Sequence, residues 1–368
     1  MTDIEDGLRE AMRESFERLL RDRCDEAFVR HSMETATAHD AALWSELASL
    51  GLTGLLVPEA FGGLGGGPRE AGLIMEEAGK TLLPGPLFSS AILATALIVA
   101  SRDDAAKARL LPGLADGSLI ATAMLTGPGG AWDGEDLDIA AVSDATGTHL
   151  SGTAHFVSDA EVADVFLVVA GRGAERTMHE VRPADGVRVE PCASFDRTQR
   201  LAAVHLDRVP SIAIDIASDA IDAALALGRV ALAGRQVGAA ERNFAFTIEY
   251  LGTRVQFGRQ IGGFQALKHI AADLLVEMES AKTAALHAAE SLADGARDAA
   301  AAVAMASFTV SDAQRLIAAE SIQLHGGIGF TWEHPAHLYY RRAQHDALFL
   351  GAPDRARETF LTLLEAGQ

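Results

Sequence analysis

The chain has 368 residues, 49% apolar and 22% charged, with two cysteines and a net charge of 31 − 51 = −20. That length buries a sizeable core without disulfides or metals and leaves room for two or three domains. So acidic a surface repels nucleic-acid phosphate and anionic lipid, and Cys24 and Cys192 make neither a disulfide framework nor a metal-ligand pattern. Both thiols are expected to be reduced. The opening MTDIEDGLREAM carries acids where a secretory signal needs a basic and then an apolar run. The most apolar stretch, Ala91 to Ala100, is about half a membrane span. A cytoplasmic location, with no membrane and no nucleic acid as partner, is the expectation.

Along the chain, residues 4–30 place Leu8, Met12, Phe16, Leu19 and Leu20 at helical spacing and predict one amphipathic helix. A second runs from Ala41 to Leu50 and stops at Gly51. The glycine-rich GLLVPEAFGGLGGG that follows, 54–67, matches neither a Walker A loop nor the dinucleotide fingerprint, and reads as a loop crossing between helices. Helices are predicted over 68–82 and 87–101, separated by LLPGP, with a short one ending near Leu111-Pro112-Gly113. From 119 to 209 the texture changes to short, β-branched segments such as VFLVVAG and GVRVEP, parted by Gly, Asp and Pro, which predict a small β-domain. After Pro210 helical periodicity returns over 214–252, 264–293, 297–325 and 335–348, the pattern of an antiparallel bundle. The expected fold is α+β and multidomain. It comprises an N-terminal α-helical domain (1–117), a middle β-barrel or sandwich domain (118–210) and a C-terminal four-helix bundle (211–368).

Polar information is densest in two C-terminal segments. In YLGTRVQFGRQIGGFQALKHIAADL (250–274), Arg254 ends one helix and Gln265 opens the next. The residues alone fit a plain helix-turn-helix junction; an arginine beside a helix start also makes an anion site. In ESIQLHGGIGFTWEHPAHLYYRRAQHDALFLGAP (320–353), Gly326-Gly327 fits a helix C-cap, or a place where backbone approaches a phosphate or planar ligand without a Cβ in the way. His334, His337 and His345 lack a completing carboxylate or cysteine, and no metal site is expected.

These two segments resemble the hallmark segments of the acyl-CoA dehydrogenase family. Weaker likenesses, LASLGLTGLLVPEAFGGLG and ARLLPGLADGSLIATAMLT, extend it over nearly the whole chain. The resemblance implies FAD held between subunits, an acyl-CoA substrate of fatty acid or lipid β-oxidation, and an electron-transfer flavoprotein as acceptor. It implies that Arg254 meets the pyrophosphate of a neighbour's FAD, that Phe257 packs on it, that Gln265 hydrogen-bonds nearby, and that Gln323, Gly326 and Gly327 line the pyrophosphate. Thr126 matches the threonine of the family's T-E-P motif, here T-G-P; Phe156 and Ser158 stand where the family has a tryptophan over the flavin and a threonine at its edge.

One departure bears on activity. Counting without gaps from Arg341, the family's base, a Glu before Gly, falls at Leu350, and the alternative base, a Glu before Arg, falls at Gly228. Neither accepts a proton, so the catalytic base is unassigned. Asp222, Asp346 and Asp354 are the nearest acids in sequence, each read as a solvated surface group. Three outcomes follow. The chain is an active dehydrogenase, as a homodimer or homotetramer with a relocated base; or a non-catalytic subunit in a heterotetramer with a paralogue; or a flavin oxidase or hydroxylase of the same fold.

Overall fold

A computed structural model describes residues 3–132, 136–145, 147–171 and 175–367. In chain order the helices α1 (Asp3–Arg23), α2 (Glu26–Glu34), α3 (Ala41–Ser49), α4 (Pro68–Lys80), α5 (Thr95–Ala100) and α6 (Asp104–Ala115) come first. Strands β1 (Ala121–Met124), β2 (Asp138–Asp144), β3 (Gly147–Ser158), β4 (Val165–Ala170), β5 (Thr177–Val181), β6 (Val187–Pro191) and β7 (Leu201–Ile214) follow. Then come α7 (Ser218–Thr253), a tiny hairpin of β8 (Val255–Gln256) and β9 (Arg259–Gln260), α8 (Gln265–Ala293), α9 (Ala299–His325), α10 (Ala336–Asp346) and α11 (Pro353–Glu365). Helices, then a sheet, then helices is the order the periodicity predicts. None of the described helices is long and apolar enough to cross a membrane.

The departures are local and physical. The predicted first helix breaks at Asp25, whose carboxylate accepts from Phe28 N at 2.8 Å and so starts α2 afresh. Leu87–Ala94 winds as a π-helix, every residue buried, before α5 begins. There Ser89 donates to Asp159 at 2.6 Å and Ser90 accepts from Ala121 N at 3.1 Å, uses that a regular outward-facing helix would not give them. α6 runs on through Pro112 in its last turn. α11 has no counterpart in the sequence reading, which stops at 348; Pro353 opens it at the first-turn position that proline suits.

The residues assort into two compact units, 1–29 with 72–83 and 229–368, and 30–71 with 84–228. The second holds the sheet, ordered β1-β4-β5-β7-β3-β2 with β6 also on β7; β1 and β4 are parallel and the other pairs antiparallel. Its core takes Met124, Leu150, Phe166, Val168, Val204 and Leu206, with β4 buried along its whole length. In the first unit, α4 and α7 meet backbone to backbone. A Cβ on Gly79, Gly234 or Gly238 would come within 2.0, 2.2 or 1.8 Å of a facing carbonyl oxygen, so glycine alone permits this approach. Farther along α7, Leu251, Leu274, Ile317 and Leu324 share one apolar cluster that draws together α7, α8 and α9.

Candidate functional site

That cluster decides what stands at the end of the bundle. Leu251 lies one turn before Arg254, and Leu324 lies just before Gly326; Ile261 and Leu267, flanking the turn into α8, pack on the same core. Tyr250 stacks on His325, ring centroids 4.5 Å apart, and its hydroxyl donates to the His325 carbonyl at 3.4 Å. The two polar segments, some seventy positions apart in sequence, thus share one end of one unit. Arg254, Phe257, Gln265, Gln323, Gly326 and Gly327 are all exposed there.

The local geometry is built to stay open. Gln256 and Arg259 pair across a two-residue turn in which Phe257 and Gly258 both have positive φ, 53° and 76°. A bulky residue in the left-handed region is strained, and Phe257 is also 91% exposed, its ring meeting Phe264 edge-on at 6.1 Å, so the fold of this unit gives it little support. Gly326 has φ 64° and ψ −143°, a conformation only glycine adopts easily, and Cβ positions at Gly326 and Gly327 meet nothing within 4 Å. The first turn of α8 has no side-chain cap, so its N–H groups remain available as anion donors.

In the sheet-bearing unit, Thr126, Phe156 and Ser158 come together where β1 runs beside β3. His155 N donates to the Thr126 carbonyl at 2.9 Å, and the Thr126 hydroxyl donates to the His155 carbonyl in a short bond. That threonine is 1% exposed, so its hydroxyl proton is engaged within the chain. Phe156 occupies a bulge between Ala154 and Val157 with φ 54°, its ring over Gly130. Thr122 donates to the Ser158 carbonyl at 2.6 Å, fixing the rim on which the half-buried Ser158 sits.

Leu350 contrasts with both places. It is 2% exposed, has φ 59°, and its carbonyl accepts from Arg229 Nε at 3.1 Å. The acids nearest in sequence are engaged. Asp354 is a surface group paired with Arg357 at 2.8 Å, and Asp222 is paired with Arg176 at 2.9 Å. Asp346 overturns its expectation as a solvated acid: it is buried against Arg235 at 2.7 Å, because that guanidinium, 111 positions away, faces it from α7. Cys24 is buried, its thiol pushed up to about 11 by burial, and Cys192 is exposed; both are free thiols.

Comparison with known proteins bears on the whole chain. The family model for the acyl-CoA dehydrogenase C-terminal domain matches residues 218–361, and that for its N-terminal domain matches 6–118. A relative named acyl-CoA dehydrogenase IpdE2, from Mycobacterium tuberculosis, is 35% identical over 348 residues, covering 94% of this chain and 93% of that relative. The chain belongs to the acyl-CoA dehydrogenase family. Among solved structures, a variant of the Tcur3481-Tcur3483 steroid acyl-CoA dehydrogenase matches this dehydrogenase chain with TM-score 0.89 and 30% identity, covering 98% of this chain and 99% of that one. The ChsE4-ChsE5 complex of Mycobacterium tuberculosis shares the fold at TM-score 0.89 and 24% identity, covering 99% and 98%. The polar side chains Thr247, Ser321 and His325 lie buried just beneath the open end, where singly they carry no sequence motif. Their signal is a polar residue recurring at four-residue spacing on an apolar helix face (Asn243 and Thr247 in α7, Ser321 and His325 in α9).

Proposed function

We propose that this chain is one subunit of a heteromeric, FAD-dependent acyl-CoA dehydrogenase, and that it completes the cofactor site without supplying the base. The assembly oxidises an acyl-CoA thioester to the trans-2-enoyl-CoA, the dehydrogenation of β-oxidation, and its electrons pass to an electron-transfer flavoprotein. The observation that carries the reading is Leu350: a buried aliphatic side chain stands where the resemblance puts the family's base, and Asp346, Asp354 and Asp222 each pair with an arginine. Two relatives whose printed names join two proteins, Tcur3481-Tcur3483 and ChsE4-ChsE5, add support for a two-chain assembly.

The residues at the bundle end fit an FAD diphosphate. Arg254 offers forked donors, the first turn of α8 offers N–H groups, and Gly326-Gly327 leaves a surface with no side chain to obstruct the phosphates. Phe257, exposed and strained, gains an apolar face to pack on, while Gln265 and Gln323 add amide donors and acceptors. Taken by itself, the sheet-bearing unit offers a flavin ring the aromatic face of Phe156 and the hydroxyl of Ser158, on a rim held by the bonds between Thr126 and His155. When bound, FAD supplies the two-electron acceptor for the β-hydride. The α-proton goes to a carboxylate on the partner chain, since Leu350 has only a backbone N–H to offer, able to donate to a thioester oxygen but not to take a proton.

The test is expression alone and together with a paralogue that carries the base. Retained FAD with enoyl-CoA formation in the two-chain preparation, and no enoyl-CoA from the lone chain, is the expected result. Enoyl-CoA formed by the lone chain would overturn it.

A further inference from the structure

We infer that Thr247, Ser321 and His325 form a buried hydrogen-bonded clamp that sets the spacing between Arg254 and the Gly326-Gly327 pair, and so act as positioning residues for the cofactor diphosphate. The inference rests on the reading of the bundle end given under Proposed function. α7 and α9 run in the same direction; besides the bond from the Tyr250 hydroxyl to the His325 carbonyl, two side-chain pairs link them, Gln236 Nε2 donating to Ser311 Oγ at 3.0 Å and Thr247 Oγ1 meeting Ser321 Oγ at 2.7 Å. The second tie lies one turn below His325 and two turns below Arg254, at the level where an error in helix register would be passed directly to the two walls of the cradle.

The protons at this tie can be counted. Thr247 donates its single hydroxyl proton to the Asn243 carbonyl at 2.7 Å, so the proton between the two hydroxyls comes from Ser321. The Ser321 carbonyl can only accept, so His325 Nδ1, at 2.7 Å, carries the ring proton and donates it there. This fixes the tautomer: Nε2 is bare, buried and without a hydrogen-bond partner. The ring is held on its other faces by Tyr250 at 4.5 Å, His334 at 4.2 Å and Phe246 at 5.7 Å. His325 therefore has one orientation, and the chain leaves it directly into Gly326. All three side chains are buried, so water does not compete for these bonds. An apolar seam would hold the helices together equally well but would let them slide. Directional bonds at one level fix register, the best-attested use of buried polar groups between helices.

The experiment compares two ties of the same kind in the two-chain assembly. FAD dissociation constants and unfolding temperatures are measured for Ser321→Ala and Thr247→Val at the near tie, Ser311→Ala at the far tie, Ser321→Thr as the conservative replacement, and Arg254→Ala. If the clamp positions the cradle, Ser321→Ala and Thr247→Val weaken FAD by about fivefold, the equivalent of one hydrogen bond. Ser321→Thr restores binding, and Ser311→Ala lowers the unfolding temperature comparably while leaving FAD affinity unchanged. Equal loss of affinity at both ties, or none at the near tie while Arg254→Ala still weakens FAD, would overturn the clamp and leave the cradle standing. An Arg254→Ala variant with undiminished affinity would instead remove the cradle itself.

Discussion

Two places in the helical unit use opposite solutions to the same backbone problem. At the bundle end, Phe257 and Gly326 adopt positive φ with open space around them. At the loop after α10, Leu350 adopts positive φ while packed out of reach of water, its carbonyl held by Arg229. The strain at Leu350 is supported by the surrounding chain, while that at Phe257 has little packing to support it. The comparison fits the proposed division of labour, in which the open end of the bundle is available to a cofactor while the loop bearing Leu350 is packed into the core.

The sharpest way to break that contrast is to remove charge from the open end. Arg254→Ala should weaken FAD binding about 10- to 100-fold, the loss of a charge-assisted forked contact, with little change in unfolding of the apoprotein. Fluorescence titration with FAD and calorimetry of the same samples separate the two. At the sealed loop the effects should reverse. Leu350→Ala should lower stability by about 2–4 kcal/mol through loss of buried surface. Turnover of the two-chain assembly should stay within about twofold, since a residue with no proton to move lies outside the range of base catalysis. A fall in kcat far larger than that, with FAD still bound, would give the Leu350 side chain a part in the reaction.

Phe257→Gly sharpens the contrast further. Glycine takes the left-handed turn without penalty, so the apoprotein should gain about 1 kcal/mol while FAD binds more weakly, stability and affinity moving in opposite senses. A smaller effect comes from protons. Burial holds His325, His179 and His39 below the ordinary imidazole value of 6.5. Their folded pKa values lie below the unfolded one, so the unfolded chain binds more protons and the stability is fully present above that value. It falls as pH drops below it towards the folded values. Unfolding temperatures from about pH 7 down to about pH 5 should decline, and His325→Gln should decline less.

The helices α7, α8 and α9 were legible because long amphipathic periodicity needs no partner to be read, and the sheet because β-branched runs alternate with turn residues. The bundle end was legible through two segments whose glycines and arginine stand out in an otherwise Ala-rich stretch. What stayed hidden depends on distant pairing. Asp346 reads as a surface acid in AQHDALF until Arg235 faces it from another helix. The π-helix at Leu87–Ala94 depends on what Ser89 and Ser90 meet on β1 and beyond β3. Thr247 and Ser321 are unremarkable singly and acquire a role only as a pair across 74 positions.

The central claim is that every proton taken from the substrate's α-carbon goes to the partner. It is tested most directly by changing the partner's base carboxylate to its amide in the two-chain assembly and measuring enoyl-CoA formation with FAD fully bound. Turnover should fall by about 10²–10⁴-fold, to the level expected without a positioned base. A surviving rate of the same order as the unaltered assembly would mean that a proton acceptor resides in this chain, and would contradict the account.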